Sequence, residues 1–187
     1  MRKSIVISAP SGSGKTSIVN FLLADFDELE FSVSACNRKK RQNEVNGKNY
    51  HFLETSDFKN KISEGAFLEW EEVYLNKFYG TLISEVDRIW QSGKCAVFDI
   101  DVKGALSIKE RYKDSCLAIF IAPPSLKILQ QRLIKRGTDS VKNIDIRLAK
   151  TEKELTYQKD FDCVVINDDF ALACQEVKKL VIEFLKK

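Results

Sequence analysis

The sequence is poor in the residues that build metal centres and disulfide frameworks. Among its 187 residues there is one histidine, His51, and the five cysteines never form a Cys-x-x-Cys pair. These features argue against a structural zinc site, a disulfide scaffold and a histidine-based catalytic triad. We therefore interpret the cysteines as free thiols that act as small apolar core residues in a reducing compartment.

Long apolar runs and a strong net charge are also missing. No stretch reaches the length of about 18 apolar residues that a membrane helix needs, and no signal-like apolar segment follows the start. The net charge of +3 is too small to indicate a nucleic-acid or membrane binder by itself. We expect a cytoplasmic protein that binds neither nucleic acid nor membrane and is a monomer or a homodimer.

What the sequence does contain is an alternation of short apolar, β-rich runs with helical patterns. Strands are predicted at 4–9, 31–34, 95–100, 117–121 and 163–166. Helices are predicted at 16–25, 82–92, 102–112, 126–136, about 144–159 and 171–186. Strands that alternate with helices indicate an α/β fold with a parallel sheet covered on both faces. Segment 37–81 differs, because charges and aromatics are dense there; we interpret it as an inserted lobe of short strands and one short helix, with Phe67 and Trp70 in its core.

The loop after the first predicted strand carries a phosphate-binding motif. It matches the pattern G-x-x-x-x-G-K-[ST] except for alanine at the first position, and Ala9 must therefore either avoid a positive φ or bear modest strain. A plain glycine and serine turn explains the glycines but not the Lys-Thr pair at this offset after an apolar strand. We expect backbone N–H groups, Lys15 and a magnesium-binding Thr16 hydroxyl to hold the phosphates of ATP. The predicted ATP-binding loop consists of Ala9, Pro10, Ser11, Gly12, Ser13, Gly14, Lys15, Thr16 and Ser17.

Motifs along the rest of the chain narrow the choice among P-loop proteins. In order and spacing they strongly resemble guanylate kinase, a family of nucleoside monophosphate kinases, from the phosphate-binding loop to the last helix. The matching residues are Ser32-Val-Ser34, Arg38, Arg41, Glu44, Gly47, Tyr50, Phe52, Phe67-Leu-Glu69-Trp70, Phe78-Tyr79-Gly80-Thr81, Asp99-Ile-Asp101, Gly104, Ile121-Ala-Pro-Pro124-Ser125, Arg132, Arg136-Gly137-Thr138, Arg147-Leu148 and Ile166-Asn167-Asp168. The family pattern Thr-Thr-Arg-x-Pro-Arg-x-Gly-Glu is only partly kept. Here it reads Cys36-Asn37-Arg38-Lys39-Lys40-Arg41-Gln42-Asn43-Glu44.

The resemblance implies an α/β, three-layer P-loop NTPase fold with a parallel sheet, an inserted GMP-binding lobe and a helical lid. The core would comprise residues 1–34, 82–124 and 151–187, the lobe 35–81 and the lid 125–150. The implied activity is transfer of the γ-phosphoryl group of ATP to GMP, giving ADP and GDP, with Mg²⁺ as cofactor.

Four groups are expected to hold the phosphate of the acceptor nucleotide. Arg38 and Arg41 supply forked donors that suit bidentate contact with a phosphate, and Arg38 is a predicted catalytic residue. The hydroxyls of Tyr50 and Tyr79 can add neutral donors. A run such as Arg38-Lys-Lys-Arg41 is, on its own, more typical of a solvated surface, and the flanking motifs favour the binding role.

A carboxylate that faces guanine can accept hydrogen bonds from its ring N–H and its amino group, which adenine does not offer in this pattern. The resemblance places Glu69 there, with Asp101 as support and the Ser34 and Thr81 hydroxyls as donors to O6. Gly80 completes the predicted GMP site. The alternative for Glu69 is an exposed strand residue beside two other glutamates.

Asp99 ends an apolar strand, which resembles a Walker B arrangement that orients Mg²⁺ through water. It is also predicted in the GMP site; its alternative role is to cap the following helix. Arg132, Arg136 and Arg147 resemble lid cations that close on the transferring phosphoryl group, and the first two are predicted to bind ATP. As an alternative, they could be surface arginines. Asn167 is predicted to contact the adenine of ATP.

Two other functions are compatible with parts of this pattern. One is a guanylate-kinase-like module that binds proteins and has lost catalysis, which would not need to retain Gly14-Lys15-Thr16. The other is a P-loop kinase for another nucleoside monophosphate, against which Glu69 with Ser34 and Thr81 argues.

Overall fold

A five-stranded sheet forms the core of the computed structural model, which describes residues 2–136 and 141–187, without the side chains of Tyr74, Arg136 and 141–146. The strands are β1 (Ser4–Ser8), β2 (Leu29–Phe31), β3 (Ala35–Cys36), β4 (His51–Phe52), β5 (Phe67–Tyr74), β6 (Lys77–Leu82), β7 (Cys95–Asp99), β8 (Cys116–Ala122) and β9 (Cys163–Ile166). The helices are α1 (Lys15–Asp25), α2 (Thr55–Ser63), α3 (Ile83–Gln91), α4 (Val102–Tyr112), α5 (Leu126–Arg136), α6 (Val141–Leu155) and α7 (Phe170–Lys186).

The core sheet has the order β2-β7-β1-β8-β9, and all of its strand pairs are parallel. Every residue of β1 and of β8 is buried, because helices cover both faces of the sheet. One face packs against α1 and α7 through residues such as Leu22 and Val177, and the other packs against α3 and α4 through residues such as Ile89 and Ile108. The predicted three-layer α/β fold is confirmed.

A second sheet with the order β4-β3-β6-β5 lies in the segment predicted to form a lobe. Its small core contains Phe58 of α2, whose ring stacks on Phe67 at a centroid distance of 4.4 Å. The prediction that Trp70 belongs to this core is wrong, because its side chain is 46% exposed. Trp70 shares the strand face of Phe67, since a Cβ atom on Gly80 would approach both side chains, but it lies at the margin of the cluster, with its ring centre 6.2 Å from that of Phe78.

Most predicted elements agree with the structure to within one or two residues, and two differ more. The strand predicted at 31–34 is found at Leu29–Phe31, because the chain leaves the core sheet there and crosses to the second sheet. The helix predicted from about 144 to 159 begins at Val141 and ends at Leu155. The division into core, lobe and lid stays a prediction.

Two further expectations concern the state of the cysteines and the absence of a membrane helix. All five cysteines are free thiols, and four of them are buried, as predicted. Among the described residues, no helix combines the length and the apolar character that crossing a membrane requires.

Candidate active site

Two cavities adjoin at the carboxyl ends of strands β1 and β7, the edge at which parallel α/β sheets bind ligands. The larger cavity has a volume of about 690 Å³ and extends toward the second sheet. The smaller one, of about 300 Å³, lies against the loop at residues 9–17, termed here the phosphate loop. Four residues line both cavities: Lys15, Thr16, Asp101 and Lys150.

The backbone of the phosphate loop has the conformation that its glycines permit. Gly12 and Gly14 have φ angles of 94° and 91°, and Gly14 is the N-terminal cap of α1. Ala9 does not adopt a positive φ. Loop residues that line the smaller cavity are Ala9, Pro10, Ser11, Gly12, Gly14, Lys15, Thr16 and Ser17. The loop therefore directs its backbone and the N-terminus of α1 at one cavity, which suits an anion.

Asn167, just after β9, supports the phosphate loop from inside the protein. Its buried Nδ2 donates a hydrogen bond of 2.7 Å to the carbonyl of Ser13. A Cβ atom on Gly14 would lie only 2.4 Å from this Nδ2, so the close approach requires glycine. The predicted contact between Asn167 and adenine stays a prediction, because the side chain here contacts the loop.

Lys15, Thr16 and Asp99 meet where the two cavities join. The Lys15 ammonium pairs with Asp99 Oδ1 and donates to the carbonyl of Ile100 at 3.2 Å, while Thr16 Oγ1 donates to Asp99 Oδ2 at 2.8 Å. The alternative that Asp99 caps the next helix is wrong, because Asp101 does so by accepting from the Gly104 N–H at 2.9 Å. A hydroxyl and a carboxylate oxygen are thus adjacent beside the loop.

Glu69 presents a half-buried carboxyl group to the larger cavity. It lies opposite Thr81 in the β5–β6 ladder, and Thr81 Oγ1 donates to its Oε1 at 2.6 Å. Burial raises the pKa of Glu69 to about 7. Ser34 and Gly80 line the same cavity, whereas Thr81 is buried and fixes the carboxyl group. The predicted contact of Thr81 with a ligand therefore stays a prediction.

Glu71 was not predicted, although it lies two residues after Glu69 on the same face of the strand, a spacing that could have identified it. It also lines the larger cavity, and its pKa is raised by burial and by a hydrogen bond with Asp101. Lys103 Nζ donates to its Oε1 at 2.8 Å. Two further carboxyl groups, those of Glu71 and Asp101, therefore lie in the cavity wall around Glu69.

The predicted phosphate clamp is folded onto a neighbouring carboxylate. Arg38 forms a two-pronged contact with Glu44, in which Nη1 donates to Oε2 at 2.6 Å, and this contact lowers the pKa of Glu44 to about 2. The guanidinium also lies 4.9 Å from the ring centre of Tyr50. Tyr50 and Tyr79 line the larger cavity, but Arg38 and the exposed Arg41 are not part of its wall. The structure thus brings Arg38 to Tyr50. The contact of Arg38 and Arg41 with a phosphate stays a prediction.

Helix α6 brings one predicted lid arginine, Arg147, to the phosphate loop, whereas Arg132 of α5 contacts the segment after β9. Arg147 Nη1 donates to Ser11 Oγ at 2.7 Å, and Arg132 Nη2 donates to the carbonyl of Asp168 at 3.3 Å. Leu133 of α5 packs so closely that a Cβ atom on Gly12 would approach its Cδ2 to 2.9 Å. The side chain of Arg136 lies outside the described residues. The sequence analysis also missed Lys150 and Glu154, which face the cavities at helical spacing from Arg147.

A parallel sheet whose first strand leads through a phosphate loop into a helix defines the α/β P-loop NTPases. A family model described as guanylate kinase matches residues 1–184, and the chain belongs to the guanylate kinase family. It is 47% identical over 188 residues to a guanylate kinase of Porphyromonas gingivalis, with 100% of both chains covered. It is 46% identical to a guanylate kinase of Bacteroides fragilis, covering 98% of this chain and 90% of the relative. The crystal structure of guanylate kinase from Anaplasma phagocytophilum is 26% identical, with a TM-score of 0.76, 97% of this chain covered and 85% of the other.

Proposed function

We propose that this chain transfers the γ-phosphoryl group of ATP to GMP, giving ADP and GDP, in purine nucleotide metabolism. The observation that supports this best is the half-buried Glu69 carboxyl group in a cavity that shares Lys15 and Thr16 with the cavity at the phosphate loop. A kinase needs two polyanions side by side and little covalent chemistry from the protein. Two adjoining cavities with shared lysines, Lys15 and Lys150, meet that need.

On the donor side, the smaller cavity takes the phosphates of ATP. The N-terminus of α1 and the backbone N–H groups around Gly12 and Gly14 stabilise the negative charge, and Lys15 exchanges its contact with Asp99 for a phosphate oxygen. The oxygen donors fit Mg²⁺, which Thr16 would hold directly and Asp99 through water. That ion would supply positive charge beside the β- and γ-phosphates.

On the acceptor side, the larger cavity takes GMP with its guanine toward Glu69. The carboxylate accepts from the ring N–H and the amino group of guanine, while Asp101 and Ser34 support the same base. Adenine would instead present a ring nitrogen acceptor to a buried carboxylate. A site built around hydrogen bonds to a substrate rejects an analogue that lacks them by about 10⁴-fold or more.

Arginines neutralise charge as the phosphates approach each other. Arg38 and Arg41, with Tyr50 and Tyr79, hold the phosphate of GMP, and Arg132, Arg136 and Arg147 approach the transferring group from helices α5 and α6. Arg147 already contacts the phosphate loop at Ser11. The reaction needs no general base, because the phosphate of GMP is already ionised at pH 7.

We further propose that the protein works in the cytoplasm, which its five free thiols support. The expectation that it is a monomer or a homodimer stays a prediction. Size-exclusion chromatography with light scattering distinguishes the two states.

A panel of acceptors tests the proposed function. GMP, IMP, AMP and UMP are each incubated with ATP, Mg²⁺ and the protein, and release of ADP is followed. We expect kcat/KM for GMP to exceed that for AMP by about 10⁴-fold or more. Preference for another acceptor would indicate a different nucleotide kinase. The absence of ADP release with every acceptor would favour a protein-binding module.

A further inference from the structure

Lys150 of α6 stands at the junction of the two cavities. It lines the larger cavity together with Tyr79 and Glu69, and it lines the smaller one together with the phosphate loop. The transferring group must pass between these cavities, so the ammonium lies beside its path. Of the other residues that line both cavities, Lys15 and Thr16 belong to the phosphate loop and Asp101 caps α4.

The neighbours of Lys150 show which face of α6 is directed at the site. Arg147 contacts Ser11 of the phosphate loop, and the hydroxyl of the buried Thr151 donates to the carbonyl of Arg147. Glu154 lies two helical turns after Arg147 and lines the smaller cavity. Residues 147, 150, 151 and 154 thus share one face, and Lys150 lies on it.

Lys150 and Glu154 form an ion pair, with 3.5 Å between Nζ and Oε1. An ordinary surface pair at this spacing has both ends in solvent and contributes little to stability. Here the lysine side chain is 59% exposed, whereas that of Glu154 is only 14% exposed. Burial raises the pKa of Glu154, and the neighbouring Asp101 raises it further. Burying a carboxyl group beside a phosphate site is unfavourable unless a cation faces it.

We propose that Lys150 is a further phosphate-binding residue of the transfer reaction and that Glu154 positions its ammonium between the two cavities. The proposal rests on the proposed function, because it requires phosphates in both cavities. A lysine suits this place, since its flexible stem lets one compact charge follow a group that moves from one nucleotide to the other. Lys150 thereby adds a fourth cation to the three lid arginines predicted from the sequence.

Three variants test the role of Lys150 in turnover. Lys150→Ala removes the charge, Lys150→Arg keeps it, and Lys153→Ala removes an exposed lysine of the same helix that lines neither cavity. With ATP and GMP, we expect Lys150→Ala to lower kcat by about tenfold to a hundredfold, somewhat less than the loss of a fully enclosed donor. Lys150→Arg should retain most of the rate, and Lys153→Ala should change it by about twofold or less.

A binding measurement separates this role from a purely structural one. The probe is adenosine joined to guanosine by five phosphates, which spans both cavities, and ADP alone is the comparison. By titration calorimetry we expect Lys150→Ala to weaken binding of the bridging probe by about tenfold, the effect of losing one charged contact. Binding of ADP should weaken by about threefold or less. A lysine that only stabilised α6 would weaken both ligands to the same extent.

Glu154→Gln tests the positioning role. Alone it should lower kcat by about threefold to tenfold, and in the Lys150→Ala background it should have almost no further effect, because coupled residues are not additive. If the wild-type protein uses GMP and Lys150→Ala is as active as Lys153→Ala, this inference is overturned and the proposed function stays intact. A wild-type protein that does not use GMP would overturn both.

Discussion

The donor side and the acceptor side both hold a cation that we propose to bind phosphate against a carboxylate, but they build the pair differently. Lys15 pairs with Asp99, which is 84 residues away in the sequence and lies at the end of another strand of the core sheet. Arg38 pairs with Glu44, which is only six residues away. The donor pair is therefore fixed by packing of the core, and the acceptor pair by a local loop.

This difference explains where the sequence departs from the family pattern. The phosphate loop keeps Gly12 and Gly14, where φ is positive, and replaces only its first glycine, by Ala9, where φ is not positive. The acceptor loop keeps Arg38, Arg41 and Glu44 but replaces the residues between them, since its geometry rests on contacts among those three. A site formed by backbone groups tolerates few substitutions in its loop. A site formed by side chains tolerates substitutions at every position except those of the binding side chains.

The largest effect should come from Lys15, the lysine of the phosphate loop that lines both cavities. Lys15→Ala removes the charge at the end of the phosphate loop, and we expect kcat to fall by about 10²-fold or more while the fold persists. Lys179→Ala, an exposed lysine of α7, is the matched control and should leave the rate unchanged. Turnover and thermal unfolding are measured for both. Near-normal turnover by folded Lys15→Ala protein would contradict the assignment.

The next largest effect should fall on the acceptor side alone. Glu69→Gln keeps the shape of the side chain but replaces one acceptor by a donor, so kcat/KM for GMP should fall by about tenfold to a hundredfold. IMP lacks the amino group and should suffer less, while the KM for ATP should stay the same. Glu72→Gln, an exposed residue of the same strand, is the control. An unchanged ratio between GMP and IMP would mean that Glu69 does not bind guanine.

The donor side was largely predictable from the sequence, and the acceptor side was only partly so. The phosphate loop, its helix and Asp99 follow from local spacing and from the rule that ligands bind at the carboxyl edge of a parallel sheet. Strand alternation from Glu69 would have indicated Glu71. The exposure of Trp70 depends instead on where the small core of the second sheet ends, which the sequence pattern does not encode.

Other features depend on contacts between distant segments, which local patterns do not encode. Ser11 and Arg147 are 136 residues apart in the sequence, and their contact determines which face of α6 is directed at the site. The sequence alone therefore indicated a lid but not the role of Lys150 and Glu154 within it. The support of the phosphate loop by Asn167 depends in the same way on where β9 ends.

A matched pair of glycine substitutions sharpens the contrast between backbone and side-chain sites. Gly14 and Gly47 both have positive φ, at 91° and 77°, but only Gly14 has a neighbour where a Cβ atom would go. The strain of φ alone should cost each alanine variant about 1–2 kcal/mol of folding free energy. Gly14→Ala should lose about 1–3 kcal/mol more, through the disturbed Asn167 bond, and should also raise the KM for ATP. Urea denaturation measures the difference, and equal losses would show that the Asn167 contact does not constrain the loop.

The smallest expected effect is a pH dependence confined to the acceptor side. Burial raises the pKa of Glu69 from an ordinary value of 4.5 to about 7. The proposed contact with guanine needs the ionised form. Without a ligand, this raised pKa stabilises the folded protein below about pH 4.5 and the stabilisation is lost as the pH rises through 7. GMP binding has the opposite pH dependence, because it is proposed to need the ionised Glu69. Its affinity should fall by about tenfold from pH 8 to pH 6, in proportion to the ionised fraction of Glu69. The phosphate of GMP also titrates, with a pKa of about 6. Its contribution to the pH dependence of binding should remain in Glu69→Gln. Calorimetric titration of both proteins at pH 6, 7 and 8 separates the two contributions, and an identical pH dependence in the variant would place the titrating group elsewhere than Glu69.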